Sequence, residues 1–448
     1  MTAAAIDAEA YLRRESDELL SACTRCARCV EVCPVVPHGR ARDAVPTQVI
    51  GDIVRLLAEG APPGEAASDW LHGCNGCGDC IPACPQGVNP RKMLLLGAMR
   101  DAAKASRTPQ LFRRMARAIK LMVAMQLLPA EYARLFVPSR PRPAELVFYL
   151  GCNALRTPNL LFNTMYVLDA LEADYEVVGG PSSCCGVIAT KWEGQVQTGT
   201  RVTANTLTRF EGFQASRVVN WCPTCDLHLN ESMGRLRPRA FEFEHVTGWM
   251  LERADQLRAR FVQAVPRRVV LHAHRGVPEV GRNVEALLRA IPGLTVLETV
   301  LESSYTCGGS GCSKTPQLQA IEHAHLLERV RATGADALVT LYHGCHMAFI
   351  GHEKAGGFEV LNFTDLLVQA LGRRPHPDRL KTLKLMDDWT SIVEEAQPWL
   401  RRNGIDVDSD WLRRHGPEIL AVAEFKGGLD CLAGEAPASR GGAPHPSH

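Results

Sequence analysis

Apolar residues along this chain follow two rhythms. Short, β-rich apolar runs occur at Leu146–Leu150, Tyr175–Val178, Arg217–Trp221, Arg268–Arg275, Leu294–Val300 and Ala337–Leu341. Between them, helical periodicity covers Asn159–Leu171, Gly194–Phe210, Val284–Ala290 and Pro316–Thr333. Strands that alternate with helices predict parallel sheets. Elsewhere the pattern is helical. Residues 1–20 carry a sparse apolar face of Ile6, Tyr11, Leu19 and Leu20, and Pro46–Ala58 predicts a second helix before a loop at Gly60–Gly64. Residues 91–137 read as two basic amphipathic helices, in which Arg91, Lys92, Arg100, Lys104, Arg107, Arg113, Arg114, Arg117 and Lys120 interleave with apolar clusters. Such a face would dock a partner subunit or an anionic membrane surface, or else pack as a helical linker. Pro138–Pro143 marks a boundary. Residues 373–425 read as helical, most clearly over Thr382–Asn403. From Lys426 the Gly-, Pro-, Ser- and Ala-rich composition predicts disorder, and Cys431 within it reads as incidental.

The α/β region is internally duplicated. Placing Cys152 on His274, an offset of 122 residues, also places Cys184-Cys185-Gly186 on Thr306-Cys307-Gly308. An offset of 120 places Cys222 and Cys225 on Tyr342 and Cys345. The expected layout is a ferredoxin-like domain at 1–100, a basic connector at 101–143, α/β halves at 144–265 and 266–372, a helical extension at 373–425 and a tail at 426–448. The fold class is α+β overall, with a helical N-terminal domain, a duplicated α/β domain and a C-terminal helical extension.

Composition narrows the function. The 448 residues carry a net charge of +1 and 6% aromatic residues, which argues against a nucleic-acid surface. The N-terminus lacks a signal-type apolar segment, and no run reaches the ~20 apolar residues that span a bilayer. A cytoplasmic protein is expected, with peripheral attachment to the inner face of a membrane raised by the basic connector. In that compartment, 17 cysteines point to metal or redox chemistry rather than disulfides.

The cysteines are patterned. Cys23, Cys26, Cys29 and Cys33-Pro34 repeat the spacing of Cys74, Cys77, Cys80 and Cys84-Pro85. This is the bacterial ferredoxin run, in which three close thiolates take three corners of a cubane and the fourth comes from the other repeat. Cys23, Cys26, Cys29 and Cys84 would hold one [4Fe–4S] cluster, and Cys74, Cys77, Cys80 and Cys33 the other. Four-cysteine zinc is the alternative, but zinc usually pairs two CxxC knuckles. Cys152, Cys184-Cys185-Gly186 and Cys222-Pro223-Thr224-Cys225 form a third group, each element just after a predicted strand. Loops at the carboxyl ends of parallel strands converge on one crevice, so five thiols would share a site. Gly308–Gly311 lacks a nucleotide-binding context and reads as a tight turn after Cys307.

Two ferredoxin runs followed by this Cx31CCGx35CxxC pattern resemble the CCG-domain iron–sulfur proteins. These include the D-type heterodisulfide reductase polypeptide and the iron–sulfur subunits of glycolate oxidase and anaerobic glycerol-3-phosphate dehydrogenase. The resemblance spans about residues 20–370. It implies that Cys152, Cys184, Cys185, Cys222 and Cys225 hold a noncubane [4Fe–4S] cluster able to act on a disulfide. An ordinary cubane on four of the five, or zinc, is the plainer alternative. The second half departs from the pattern at His274, Thr306 and Tyr342. Cys307 and Cys345 remain, with Cys312, His272, His343 and His346 nearby. A mixed Cys/His metal site is open there, but a worn copy kept as scaffold is the reading favoured. Three functions follow. The first is a redox subunit with thiol/disulfide chemistry at the five-cysteine site. The second is an electron relay from a flavin-dependent 2-hydroxy-acid or glycerol-3-phosphate dehydrogenase toward quinone. The third is a metal-sensing scaffold. The first two require a flavoprotein or membrane-cytochrome partner.

Overall fold

The computed structural model describes residues 7–104, 111–137, 140–307, 315–386 and 388–420. The turn expected at Gly308–Gly311, Cys312, Arg107, the start of the Pro138 boundary and everything beyond residue 420, Cys431 included, lie outside the described residues.

The principal N-terminal helices are α1 (Ala8–Ala22), α2 (Pro46–Glu59), α3 (Glu65–Gly73), α4 (Pro90–Lys104), α5 (Leu111–Ala124) and α6 (Pro129–Phe136). Asp7 caps α1, its carboxylate accepting from the Glu9 and Ala10 amides at 3.0 and 3.1 Å. Proline opens α2, α4 and α6, where its missing N–H costs nothing. Val49, Ile53 and Leu56 of α2 meet Trp70 of α3 and Met93, Leu96 and Met99 of α4 in one core. That core also takes in Ala204, Met233 and Leu236 from the first α/β half, so the N-terminal helices are packed onto it.

The α/β region runs β1 (Leu146–Gly151), α7 (Pro158–Ala170), β2 (Tyr175–Gly179), α8 (Val196–Glu211), β3 (Arg217–Asn220) and β4 (Glu242–His245). Its second half runs β5 (Arg268–His274), α9 (Pro278–Arg289), β6 (Thr295–Glu302), α10 (Pro316–Thr333), β7 (Ala337–Thr340) and β8 (Glu359–Asn362). Every strand pairing is parallel, and the two sheets have matching orders, β2-β1-β3-β4 and β6-β5-β7-β8. In each sheet the chain moves outward on one side and then crosses to the other. The reversal leaves a crevice beyond the carboxyl ends of the first and third strands. A single apolar core runs through both sheets.

The connector differs from the expectation. It forms three helices rather than two, and α4 crosses residue 100. Met115, Ile119, Met122 and Val123 of α5 enter the large core. Asn403 Nδ2 donates to the carbonyls of Ala124 and Leu127 at 3.0 and 2.8 Å, closing the C-terminal helices over the end of α5. Arg91, Lys92 and Arg100 make internal contacts, while Arg113, Arg117 and Lys120 stay exposed on α5. The C-terminal pattern over Thr382–Asn403 is likewise two helices, α12 (Arg379–Lys384) and α13 (Trp389–Arg402), after α11 (Phe363–Ala370) and before α14 (Ser409–Leu420). Asp388 separates them by capping α13, accepting from the Thr390 and Ser391 amides at 2.8 and 2.9 Å. No helix among the described residues is long and apolar enough to cross a membrane.

Glu15 of α1 is the charged tie between helices and sheet. Its side chain is fully buried, and it accepts from Lys92 Nζ at 2.6 Å and Arg235 Nη2 at 3.0 Å. Burial favours the protonated acid, but the two cations outweigh it and hold the carboxyl below its ordinary 4.5. The stabilisation is therefore complete above 4.5 and is lost as pH falls through the depressed value. Both partners keep some solvent contact, so the effect lies between those of surface and fully buried pairs. Glu15→Gln should cost roughly 2 kcal/mol at neutral pH. Its thermal midpoint should fall by several degrees at pH 7, and the gap to the wild type should narrow below pH 4.5.

Candidate metal-binding sites

The N-terminal cysteines lie on two tight loops. Cys23 ends α1, and Arg25 and Ala27 take left-handed φ angles of 57° and 64° to turn the chain within four residues. Cys23, Cys26, Cys29 and Cys84 line one cavity. Burial, together with the nearby Cys23, Cys26 and Cys84 sulfurs, pushes the Cys29 thiol up to about 12. Cys74 ends α3, and Gly76 and Gly78 turn the second loop at φ 76° and 82°. Cys77 is pushed up to about 12, by burial and then by Asp79, Cys74 and Cys33. Cys80 is raised by burial and by Cys74, Cys77 and Cys33, with Cys29 of the first group also in range. The Trp70 indole N–H points at Cys33 Sγ from 3.3 Å. Each group thus draws three cysteines from one run and one from the other, and the two groups are neighbours.

The third group stands at the crevice of the first sheet. Cys152 follows β1, Cys184 and Cys185 follow β2, and Cys222 and Cys225 follow β3. All five are buried. The Cys152 and Cys184 sulfurs are 4.0 Å apart, and contacts run on from Cys184 to Cys185, Cys225 and Cys222. Two glycines permit this crowding. Gly151 has φ 70°, and a Cβ there would stand 2.9 Å from Cys222 Cβ and 3.0 Å from Cys225 Sγ. Gly186 has φ 93°, and a Cβ would meet the Gly199 carbonyl and Thr203 Oγ1 at 2.5 Å. From α8, Thr203 and Thr206 donate to the carbonyls of Cys185 and Cys184 at 2.6 and 2.7 Å, pinning the loop. Tyr149 lies beneath, its hydroxyl donating to the Ser183 carbonyl at 2.9 Å and standing 3.7 Å from Cys225 Sγ.

The sulfurs cannot all ionise unaided. Hydrogen bonds from Cys152 and Cys185, and then from the Gly186 amide, hold Cys184 well below the ordinary thiol value. In consequence Cys152, Cys185 and Cys225 are driven well above it by their sulfur neighbours and by burial. Five thiolates could share this space only around a cationic centre, so the donor set fits a metal cluster. His228, three residues past Cys225, is held neutral by burial, its value lowered to about 4. Sequence reasoning overlooked it.

The second half faces this site. Asn153, next to Cys152, has its Nδ2 3.4 Å from His343 Nε2. The Tyr305 hydroxyl donates to Asp226 Oδ2 at 2.8 Å. Asn75 of the second ferredoxin loop hydrogen-bonds the Ser303 carbonyl, and the Tyr305 amide donates to the Asn75 carbonyl at 2.9 Å. Arg91 ties Gly76 and Gly276 to the Glu231 carboxylate. The Lys191 ammonium acts electrostatically on both Cys74 and His228. Nothing in the sequence singled it out.

Of the residues expected in the second half, His274, Cys307 and Cys345 come together and His272 joins them, with all four donor atoms within 4.8 Å of one another. His272 sits within β5 rather than in a loop. His346 turns away to Asp378, 2.5 Å from its Nε2. Thr306 and Tyr342 are buried beside the group without a metal-binding sulfur.

Paired ferredoxin-type loops seated against two parallel α/β halves, one with five converging thiols, define a modular iron–sulfur protein. The 4Fe-4S dicluster domain family matches residues 18–88, and the cysteine-rich domain family matches 146–230 and again 272–350. The chain is 25% identical over 396 residues to the D polypeptide of the dihydromethanophenazine:CoB–CoM heterodisulfide reductase of Methanosarcina acetivorans, covering 79% of this chain and 94% of that protein. It is 23% identical to the B polypeptide of the fumarate reductase (CoM/CoB) of Methanothermobacter marburgensis, over 78% of this chain and 72% of that one. It is 22% identical to a probable glycolate oxidase iron–sulfur subunit of Bacillus subtilis, over 81% and 96%. The chain thus carries a 4Fe-4S dicluster domain followed by two cysteine-rich domains, and it is similar over most of its length to D-type heterodisulfide reductase polypeptides.

Gly186→Ala tests the packing of the five-cysteine loop. Left-handed strain of about 1–3 kcal/mol adds to the clash with Gly199. Iron per chain should fall while the iron bound by the ferredoxin-type loops is retained, as read by metal analysis and low-temperature EPR.

Proposed function

We propose that this chain is the iron–sulfur subunit of a heterodisulfide reductase-like oxidoreductase. Cys23, Cys26, Cys29 and Cys84 would hold one [4Fe–4S] cluster, and Cys74, Cys77, Cys80 and Cys33 a second. Cys152, Cys184, Cys185, Cys222 and Cys225 would hold a noncubane [4Fe–4S] cluster. When bound, these centres supply one-electron transfer, and the last one a place for a thiol/disulfide couple to react. The observation that supports the reading is the packing of the second ferredoxin-type loop against the α/β halves, through Asn75 on Ser303 and Arg91 on Gly276 and Glu231, beside a crevice of five buried sulfurs.

The chain's own residues suit such a task. Reducing a disulfide to two thiols takes two electrons and two protons. Burial raises Asp226, adjacent to Cys225, and outweighs the opposing hydrogen bonds from Tyr305 and Asn220, which favours holding a proton beside the crevice. Neutral His228 adds no charge next to Cys184. The exposed Arg113, Arg117 and Lys120 of α5 offer a basic stripe to a flavoprotein or membrane-cytochrome partner.

A second reading is a relay subunit for a flavin-dependent dehydrogenase, with no substrate chemistry of its own. It is favoured by the likeness to a glycolate oxidase iron–sulfur subunit and by the non-cysteine residues at His274, Thr306 and Tyr342.

Cys185→Ala separates the two. Under the first reading it abolishes disulfide-linked turnover while the ferredoxin-type EPR signals persist. If added thiol or disulfide leaves the spectrum of the five-cysteine centre of the wild type unchanged, the relay reading stands instead. The crossed ligation has its own check. Cys84→Ser should remove the same EPR signal as Cys23→Ser, and Cys33→Ser the same signal as Cys74→Ser.

A further inference from the structure

The second α/β half carries a donor set unlike that of the first. His272 and His274 project from one face of β5, since residues two apart on a strand share a face. Cys307 follows β6, and Cys345 lies one turn into the helix after β7. All four are buried, none more than 3% exposed. His274 Nε2 lies 3.0 Å from Cys345 Sγ and 3.7 Å from Cys307 Sγ, and His272 Nε2 lies 3.7 Å from Cys307 Sγ. In a tetrahedral zinc site, with Zn–S about 2.3 Å and Zn–N about 2.0 Å, the nitrogen–sulfur edge is roughly 3.5 Å. The observed edges straddle that length.

The surroundings are those of a metal centre. His274 Nδ1 is 2.8 Å from Ser304 Oγ, which fixes the ring and leaves Nε2 for the centre. Glu302, 3% exposed, stands 3.2 Å from His272 Nε2 and 3.5 Å from Cys307 Sγ. His323 Nε2 lies 3.8 Å from the other Glu302 oxygen. His272 Nδ1, Glu302 Oε1 and His323 Nε2 are buried without a hydrogen-bond partner among the described residues. So many buried polar atoms around two thiols are costly unless a cation organises them.

We propose that His272, His274, Cys307 and Cys345 bind one zinc ion in tetrahedral geometry, with Glu302 beside it. Two thiolates and two neutral imidazoles around a dication leave no net charge. Two sulfurs and two nitrogens suit zinc, whereas an iron–sulfur cluster would interpose sulfide and a second metal and push these donors farther apart. The ion is redox-inert, so the second half would be pinned rather than wired. The first half's five sulfurs and this site are independent, and each can fail without the other.

The test uses the full chain purified anaerobically from zinc-supplemented medium. Expected are one zinc per chain besides the iron, and zinc K-edge absorption with two sulfurs at about 2.3 Å and two nitrogens at about 2.0 Å. Cys345→Ser should lose the zinc and keep the iron, Cys345→His should keep both, and Cys152→Ser should keep the zinc while losing iron. A zinc-free wild type, loss of iron in Cys345→Ser, or a zinc shell with three or more sulfurs or none would overturn the proposal. The absorption spectrum of the wild type decides the matter even where a variant does not fold.

Discussion

A thiolate is expensive in a dry interior, and a second one beside it is more so. That constraint governs this molecule. All fifteen described cysteines are free thiols, and each stands in a group with others. The fold consists of devices that force sulfurs together against their repulsion. Arg25 and Ala27 accept left-handed backbone, and Gly151 and Gly186 yield the space of a side chain. Thr203 and Thr206 hold the Cys184–Cys185 carbonyls from behind. Protein groups favour ionisation of one sulfur of the five-cysteine set, Cys184, while burial and sulfur neighbours keep Cys152 and Cys225 protonated. All five could be thiolates together only around a bound cation, which would tie metal loading to local stability.

The duplicated halves meet this constraint differently. They share strand order, parallel pairing and the placing of ligand loops at strand ends. In the first half the donors are all sulfur. In the second, Tyr342 occupies the position corresponding to Cys222, and its ring lies 6.4 Å from His274 and 5.4 Å from His245. The duplicated backbone persists while the chemistry diverges, because the sheet is held by apolar burial and the donors cluster at and just beyond the carboxyl ends of its strands. The second half also braces the ferredoxin loop through Asn75 and through Arg275, which pairs with Asp79 at 2.8 Å. Its contribution as a wall and clamp does not depend on sulfur.

Much of this was legible in the sequence, and the gaps have physical causes. The strands next to the cysteines were readable because they are central, apolar and punctuated by ligands. β4 and β8 were not, since Glu242–His245 and Glu359–Asn362 are four-residue edge strands with too few apolar positions to show a period. The third connector helix, Pro129–Phe136, is only 8 residues long and its periodicity merged with that of its neighbour. His272 was read only as one of several nearby histidines, because alignment on cysteines drew attention to His274. The period of a strand held the signal, as His-Ala-His in a β-run puts both imidazoles on one side. Glu302, His323 and Lys191 left no comparable trace, because their roles arise from distant segments meeting.

Burial then orders the sites along one line. In the first ferredoxin group Cys26 is exposed and Cys23 and Cys84 are half-buried. In the second, Cys77 and Cys80 are buried, and in the five-cysteine group every sulfur is. Solvent access falls in the same direction, from a loop open to solvent toward a crevice closed by the second half. Among the described residues the Cys23–Cys29 end is the more open one, and exposed Arg25 and Arg28 line its cavity. Charge change is best screened by water at that end and least screened at the other. In the proposed reading a change of electron count at the inner site would be balanced by nearby groups, among them Asp226, Tyr305, Tyr149 and His228. The wall formed by the second half closes the crevice through the Asn153–His343 and Tyr305–Asp226 contacts. Were a cluster reduced there, as proposed, the added charge would meet little water, and a proton or a cation would have to compensate it.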